Sequence, residues 1–342
     1  MIHLAVRHFN RSSGGGFLVN SEFTDALRAS EQCVLSTFEG LRDVNPAADA
    51  TICMGTEAFK KSGIPCIVWP LTVAPLDRDA IKLGCTSISF TVRYRLLKFK
   101  VWRSLRKAEA LVFDSHYARD LHRSHFPWLD KLPTLAMDPG VVPPKALQTG
   151  ERATAIPGRI VMVSHLYPYK MILQAIEAFR LVMERVPHAE LLIVGRETDP
   201  TYAKQIRAAI GDEKRIQMKG FVPPEDLARV YTSAEVVLFN SICENAGSFT
   251  AFDAVWLGCA MVCSDKSSMP EAMLEGVRYA NPWQPEETAK ALIEALTDSK
   301  YLATLQQKAR DRGASLQTWS ERARQVIEFC NSLKGGMRNK QN

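Results

Sequence analysis

The sequence predicts an α/β protein made of two Rossmann-like domains with a cleft between them. Three observations carry this. The chain has 342 residues, more than one hydrophobic core usually supports. Short apolar runs alternate with segments of helical period, the mark of βαβ units and parallel sheets. Several of the runs end in turns rich in Gly, Ser or Lys, and parallel sheets bind ligands beyond the carboxyl ends of their strands.

In the first half, Ile2 to Val6, Cys33 to Thr37, Thr51 to Met54, Cys66 to Trp69 and Ala110 to Phe113 are strand candidates. Gly14-Gly15-Gly16 follows the first of them and precedes a helix from Leu18 to Leu27. Glycines there let a backbone approach a ligand at a helix N-terminus, which favours an anion. The same residues read equally as a surface loop. Thr91 to Lys107 is a long basic stretch. Pro143 to Pro157 breaks the pattern, so the first domain is expected over residues 1–150 and the second over 151–335, with a basic tail at 336–342. Lys334 to Asn342, rich in Gly, Lys and Asn, is expected to be disordered.

The second half is more regular. Gly158 to Val163 reads as a buried strand. Ile172, Ile176, Phe179, Met183 and Val186 then recur at helical steps. Strands are expected at Leu191 to Val194, Arg215 to Lys219, Glu235 to Phe239 and Ala260 to Cys263. Helices are expected at Pro200 to Ile210, Pro224 to Ala234, Ala251 to Leu257, Pro285 to Asp298, Lys300 to Asp311 and Thr318 to Leu333.

Composition narrows the function classes. Hydrophobic residues at 46% and charged residues at 23% are ordinary for a globular protein. A net charge of +6 is too small to argue for nucleic acid, though it suits anionic substrates or an anionic surface. The eight Cys form no C-x-x-C pair and read as reduced core thiols. No leader and no apolar stretch of membrane-spanning length is visible, so a cytoplasmic protein, free or peripheral, is expected. The P-loop, G-x-G-x-x-G, H-E-x-x-H and G-x-S-x-G motifs are all missing. Asp77-Arg78-Asp79 reads as a solvated helix start rather than a metal motif, and His122-Arg123-Ser124-His125 as surface. No metal and no cofactor are expected.

Two turns stand out. Ser164 to Lys170 follows a strand and puts Lys170 at the entry to a helix, where an ammonium suits a diphosphate; a solvated surface lysine is the plainer reading. Ser241 to Thr250 packs Glu244, Asn245, Gly247, Ser248 and Thr250 into one strand-to-helix turn, with Asp253 nine residues after Glu244. Such a turn offers backbone N–H groups to phosphate and carboxylates to sugar hydroxyls, or simply caps a helix through Ser248 or Thr250.

On these residues the second half, Gly158 to Leu333, resembles the family-four, group 1 retaining glycosyltransferases of the GT-B fold. The sequence of elements carries the likeness: the Lys170 turn, Gly195, Gly220-Phe221, the Glu244/Asp253 turn, Ser264-Asp265, Pro270-Glu271 and Asn281-Pro282. The first half fits more loosely, through Gly14-Gly15-Gly16, Val112-Phe113-Asp114-Ser115 and Pro139-Gly140-Val141. The resemblance implies a donor-binding second domain and an acceptor-side first domain, where Gly15 and Gly16 also face the donor. It implies that Lys170 contacts the donor diphosphate, Glu244 the sugar hydroxyls and Asp253 the ribose. Asn245, Gly247, Ser248, Phe249 and Thr250 then face sugar and phosphates, and Gly220, Phe221 and Val222 lie near the base.

The chain departs from the family pattern in three places, one of them the absence of an acceptor-side His around Trp69-Pro70-Leu71. His165 stands where the family has an Arg, and a histidine is a weaker, pH-dependent cation. The carboxylates are nine residues apart rather than eight, and the second is Asp. The implied activity is retaining transfer of a hexose-type sugar from a nucleotide-diphosphate sugar to a glycan or lipid-linked acceptor, without a metal. Two alternatives remain: a nucleotide-sugar 2-epimerase of similar fold, and a non-catalytic relative that binds a glycan or protein. The basic, partly amphipathic stretch Arg93 to Lys107 reads either as a seat on anionic lipid or as a solvated face.

Overall fold

The computed structural model describes residues 1–7, 15–84, 88–142 and 152–338. Its contacts divide the chain into two compact units. The first comprises Met1–Asp77, Ser87–Val142 and Gln317–Asn342, and the second Arg78–Thr86 and Pro143–Leu316. The grouping differs in two places from a single cut near residue 150. The segment 78–86 joins the second unit, and the last helix joins the first.

The first unit is a six-stranded parallel sheet in the order β2-β1-β3-β4-β5-β6. Its elements are β1 (Ile2–Arg7), α1 (Gly15–Arg28), β2 (Cys33–Phe38), β3 (Ala50–Met54) and β4 (Cys66–Trp69). Helix α2 (Arg78–Gly84) follows and belongs to the second unit. Then come α3 (Ile88–Leu105), β5 (Ala110–Phe113), α4 (His116–His125) and β6 (Thr134–Ala136). Both faces of the central strands are covered, so β3, β4 and β5 are buried at every position and apolar at all but Thr51. Phe23 of α1 meets the Trp69 ring edge-to-face at 5.1 Å. The Trp69 indole N–H, buried, donates to Asp114 Oδ1 at 2.7 Å, which ties the ends of β4 and β5 together.

The second unit repeats the plan with a sheet in the order β12-β11-β10-β7-β8-β9. It contains β7 (Arg159–Val163), α5 (Ile172–Arg185), β8 (Glu190–Val194), α6 (Pro200–Ile210), β9 (Ile216–Gly220) and α7 (Pro224–Thr232). It continues with β10 (Val236–Phe239), α8 (Phe249–Trp256), β11 (Met261–Ser264), α9 (Met269–Met273) and β12 (Arg278–Ala280). Helices α10 (Pro285–Thr297) and α11 (Ser299–Ser315) complete it. Ile160, Met162, Ile176, Phe179, Ile193, Leu238 and Leu292 meet in one core between sheet and helices.

Helix α12 (Trp319–Arg338) returns to the first unit. Thr318 and Glu321 form a reciprocal cap: the Thr318 N–H donates to Glu321 Oε2 at 2.7 Å, and the Glu321 N–H to Thr318 Oγ1 at 3.4 Å. Trp319 is buried against Gly140, so closely that a Cβ on Gly140 would lie 2.5 Å from the indole. The Val141 N–H donates to the Gln317 carbonyl at 3.0 Å beside it.

Several expectations are corrected. Gly15 and Gly16 are the first residues of α1, not part of a loop before it; Gly14 lies outside the described residues. His122 is fully buried, with Nδ1 2.7 Å from the Ala118 carbonyl oxygen, because it sits on the inner face of α4 against Phe113. Burial lowers its pKa to about 4, so it is neutral. His125 is also engaged, with Nε2 2.8 Å from the Leu76 carbonyl oxygen. The tail is helical to Arg338; residues 339–342 lie outside the described residues. Asp79 does open a surface helix, 3.5 Å from Lys82, while Asp77 accepts a hydrogen bond from the Tyr117 hydroxyl at 2.9 Å. Cys85 is not described, and the seven Cys that are described are free and buried. No helix among the described residues is long and apolar enough to cross a membrane.

Trp319→Ala should destabilise the first unit by about 3–5 kcal/mol, the usual result of emptying a buried aromatic site. Urea unfolding measures it; an unchanged midpoint would show that α12 is not seated there.

Candidate active site

The sheet order of the second unit fixes where a site forms. Successive strands run outward one way from β7 and the other way from β10, so the chain reverses direction between these two neighbours. The loops leaving β7 and β10 therefore start side by side at the carboxyl edge of the sheet, where open parallel sheets hold their ligands. Lys170 follows β7 and Glu244 follows β10.

Lys170 ends a single 3-10 turn, Pro168–Lys170. Proline at its start presets the backbone, and Met171 then takes a left-handed conformation, φ 53°, from which α5 begins. The turn is clamped to the exit of β10. The Ile242 N–H donates to the Tyr169 carbonyl at 2.9 Å, and Asn240 Nδ2 to the Met171 carbonyl at 3.1 Å. Lys170 is thereby carried to Glu244, which lies 74 residues further along the chain.

Two serines hold the Glu244 turn. The Glu244 N–H donates to Ser267 Oγ at 3.2 Å. Ser268 Oγ, fully buried, donates to the Glu244 carbonyl at 3.1 Å and accepts from the Gly247 N–H at 2.6 Å. Gly247 has φ 73°, and a Cβ there would meet Ala272 Cβ at 2.6 Å. Only glycine fits that conformation and that space.

Lys170 Nζ forms an ion pair with Glu244 Oε1; the two side chains are 13% and 12% exposed. The ammonium also lies 5.5 Å from the Tyr169 ring centre and 5.4 Å from that of Phe239. A mostly desolvated pair of this kind keeps a cation and an anion in direct contact at one point.

The ends of β8 and β9 extend the row. A Cβ on Gly195 would stand 1.8 Å from the Ser164 carbonyl oxygen, so the loops after β7 and β8 are in direct contact. The Leu166 N–H donates to the Arg196 carbonyl at 2.9 Å, and the Arg196 N–H to His165 Nδ1 at 3.4 Å. Partial burial of the imidazole, and then the charges of Lys170 and Arg196, hold the His165 pKa below its ordinary value. His165 is therefore a neutral acceptor at neutral pH. The Arg196 guanidinium stacks 4.0 Å over the Phe221 ring, which is 49% exposed. Val222 beside it is buried.

Helix α8 opens at Ser248 with no side-chain cap, since Ser248 Oγ pairs with Thr250 Oγ1 at 2.9 Å instead. Its first N–H groups, at Phe249 and Thr250, have no acceptor within the helix. Asp253 lies one turn further on. Burial raises its carboxyl to about 7, and its charge in turn helps raise the buried Tyr231 hydroxyl, where burial is the larger cause.

The structure thus brings His165, Lys170, Glu244, Asn245, Gly247, Ser248, Phe249 and Thr250 to neighbouring turns, with Gly220, Phe221 and Val222 at the next strand ends. Gly15 and Gly16 belong to the other unit. Sequence reasoning missed Arg196, Ser267 and Ser268. Arg196 carried a signal, since it directly follows the glycine that closes β8. Ser267 and Ser268 carried none, because only the fold brings them under Glu244. Among the described residues no three His, Cys, Asp or Glu side chains cluster as metal ligands would.

Residues 154–312 match the family model described as glycosyl transferases group 1. The match takes in a little under half of the chain, from just before β7 to within α11. Mannosylfructose-phosphate synthase of Agrobacterium fabrum is 26% identical over 162 residues, 44% of this chain and 36% of that one. A D-inositol 3-phosphate glycosyltransferase of Corynebacterium glutamicum is 24% identical over 198 residues, 55% of this chain and 47% of that one. The matched stretches thus span less than half the length of these relatives. In fold the likeness runs further. Sucrose-phosphate synthase of Thermosynechococcus elongatus superposes with a TM-score of 0.71 at 15% identity, covering 98% of this chain and 100% of that one. Anabaena HepE in complex with UDP and glucose gives 0.69 at 14% identity, covering 97% and 100%. The α/β, GT-B fold expected from the sequence is the fold found.

Within the matched residues the Gly195 contact joins two of the site loops. Gly195→Ala should cost about 3 kcal/mol or more and displace the His165–Arg196 segment, because neither backbone can yield the missing space. Thermal unfolding reads the loss; a wild-type melting temperature would contradict the contact.

Proposed function

We propose that the protein is a retaining glycosyltransferase that moves a hexose-type sugar from a nucleotide-diphosphate sugar to a glycan or lipid-linked acceptor in surface polysaccharide or glycolipid synthesis. The observation that carries this reading is the juxtaposition of Lys170 and Glu244 at the switch point, beside the uncapped start of α8. The UDP and glucose in the HepE complex support a donor of that chemical kind.

In this reading the donor diphosphate takes Lys170 from Glu244. Its charge then rests on the ammonium, the Phe249 and Thr250 N–H groups and the nearby Arg196, while the freed Glu244 carboxylate accepts from sugar hydroxyls. The Arg196–Phe221 stack offers a flat face to the base. His165, neutral, accepts from the Arg196 backbone and holds that loop in place rather than supplying charge. Asp253 accepts from the ribose diol.

The sugar–phosphate bond breaks toward an oxocarbenium ion and its electron pair leaves with the diphosphate. The acceptor hydroxyl attacks from the same face, and its proton passes to a phosphate oxygen. The leaving charge is met by cations and amides of the chain, so the reaction runs without a metal, and a chelator leaves the rate unchanged.

Lys170→Ala should lower transfer by about two to three orders of magnitude with the fold intact, as expected for removing stabilisation of a leaving group. Near wild-type turnover would refute the assignment. A thermal-shift panel of UDP-, GDP-, ADP- and dTDP-sugars should show one selective stabiliser; no shift with any of them would remove donor binding altogether. Donor affinity should rise with pH through about 7, where Asp253 ionises and becomes an acceptor only. The gain from pH 6 to 8 is up to about tenfold. Titration calorimetry should find that slope gone in Asp253→Asn, and its persistence there would exclude Asp253 as its source.

A further inference from the structure

Helix α3 presents a face that stands exposed among the described residues of its own unit. Its inner side is seated through Val101, Ser104 and Leu105, all buried. Its outer side carries Val92, Leu96, Phe99 and Trp102, which are 50%, 57%, 55% and 41% exposed. Their spacing of four, three and three residues places them in one stripe along the helix. The Phe99 and Trp102 rings stack with centres 5.6 Å apart, a broad apolar end to the stripe. Four large apolar side chains in one exposed line are unlike the scattered single ones of an ordinary surface.

Charge identifies the occupant. From Ile88 to Lys107 the sequence holds seven Lys and Arg and no Asp or Glu. Three of the seven are used internally. Lys98 Nζ lies 3.2 Å from His125 Nδ1, Lys107 Nζ donates to the Ala58 carbonyl at 2.6 Å, and Arg106 lies over the Trp128 ring at 5.5 Å. The other four, Arg93, Arg95, Lys100 and Arg103, are exposed and make no ion pair among the described residues. They flank and interrupt the stripe on the same outward half of the helix.

We infer that α3 docks on the surface of an anionic lipid bilayer, with Val92, Leu96, Phe99 and Trp102 entering the headgroup–acyl boundary and Arg93, Arg95, Lys100 and Arg103 meeting lipid phosphates. A convex helix face with cations around an apolar line matches a plane of negative headgroups over apolar chains. The arginine and lysine stems lie along the apolar boundary while their heads stay at the phosphates. Tryptophan is suited to the same depth, with an apolar ring and a polar N–H. A protein partner would have to supply a groove holding carboxylates on both flanks. The inference stands on the first unit alone and does not depend on the donor reading.

The test is cosedimentation of the full-length protein with phosphatidylcholine vesicles, with and without phosphatidylglycerol, at low salt. Binding is expected only with the anionic lipid, and it should weaken as salt rises. Arg95→Gln with Lys100→Gln should lower the partition by about twenty-five-fold, at about fivefold for each charge. Phe99→Ser with Trp102→Ser should lower it at low salt too, while circular dichroism melting shows both double variants folded. Absence of binding to anionic vesicles, or undiminished binding by the folded Ser variant, would overturn the proposal. So would a wild-type dimer that the Ser variant dissociates, since the stripe would then be a contact between copies.

Discussion

The second unit depends on one topological constraint: β7 and β10 are neighbours in the sheet although β8 and β9 separate them in the chain. The loops that leave these neighbours can reach each other only at the carboxyl edge. The hydrogen bonds from Asn240 and Ile242 to the Lys170 turn close that reach. Once the turn is clamped, the ammonium of Lys170 and the carboxylate of Glu244 have each other as partners in a site that is mostly shielded from water. The remaining features follow outward along the same edge. Gly195 lets the next loop press against the first, and the Arg196–Phe221 stack then extends the row to β9.

Charge in this site is arranged by position rather than by number. The residue expected to be a second cation, His165, is neutral, since partial burial and two nearby positive groups oppose its protonation. Arg196 lies beside it on the adjacent strand end, and the open start of α8 supplies partial positive charge from the other side. Departure from the family pattern at one position is thus accompanied by a cation at the next. The mixed arrangement suits a leaving diphosphate, whose charge is spread over several oxygens.

Much of the fold was legible in the sequence because fully covered parallel strands are written as unbroken apolar runs. Residues such as Ile172, Ile176 and Phe179 carry the helical period without ambiguity. Short edge elements were not legible: β6 and β12 have three residues each, and Arg278-Tyr279-Ala280 has no apolar run to mark it. The helical pattern after Thr318 was plain, but its destination was not. A periodic apolar face does not say which core it packs on, and the Gly140–Trp319 contact that decides it spans most of the chain. His122 was misjudged for a related reason. A string of polar residues reads as surface, yet one of them falls on the inner face of α4. In the site, Lys170 and Glu244 were found by their place after strands, whereas Ser267 and Ser268 act through a hydroxyl and a backbone contact that leave no trace in spacing.

In the proposed reaction the Lys170–Glu244 pair opens to receive a diphosphate. A crystal structure of the protein with a nucleoside diphosphate tests it most directly. The account predicts phosphate oxygens within hydrogen-bond distance of Lys170 Nζ and of the Phe249 and Thr250 N–H groups, with Glu244 released from the lysine. A bound nucleotide that left the ion pair closed, with its phosphates elsewhere, would contradict it.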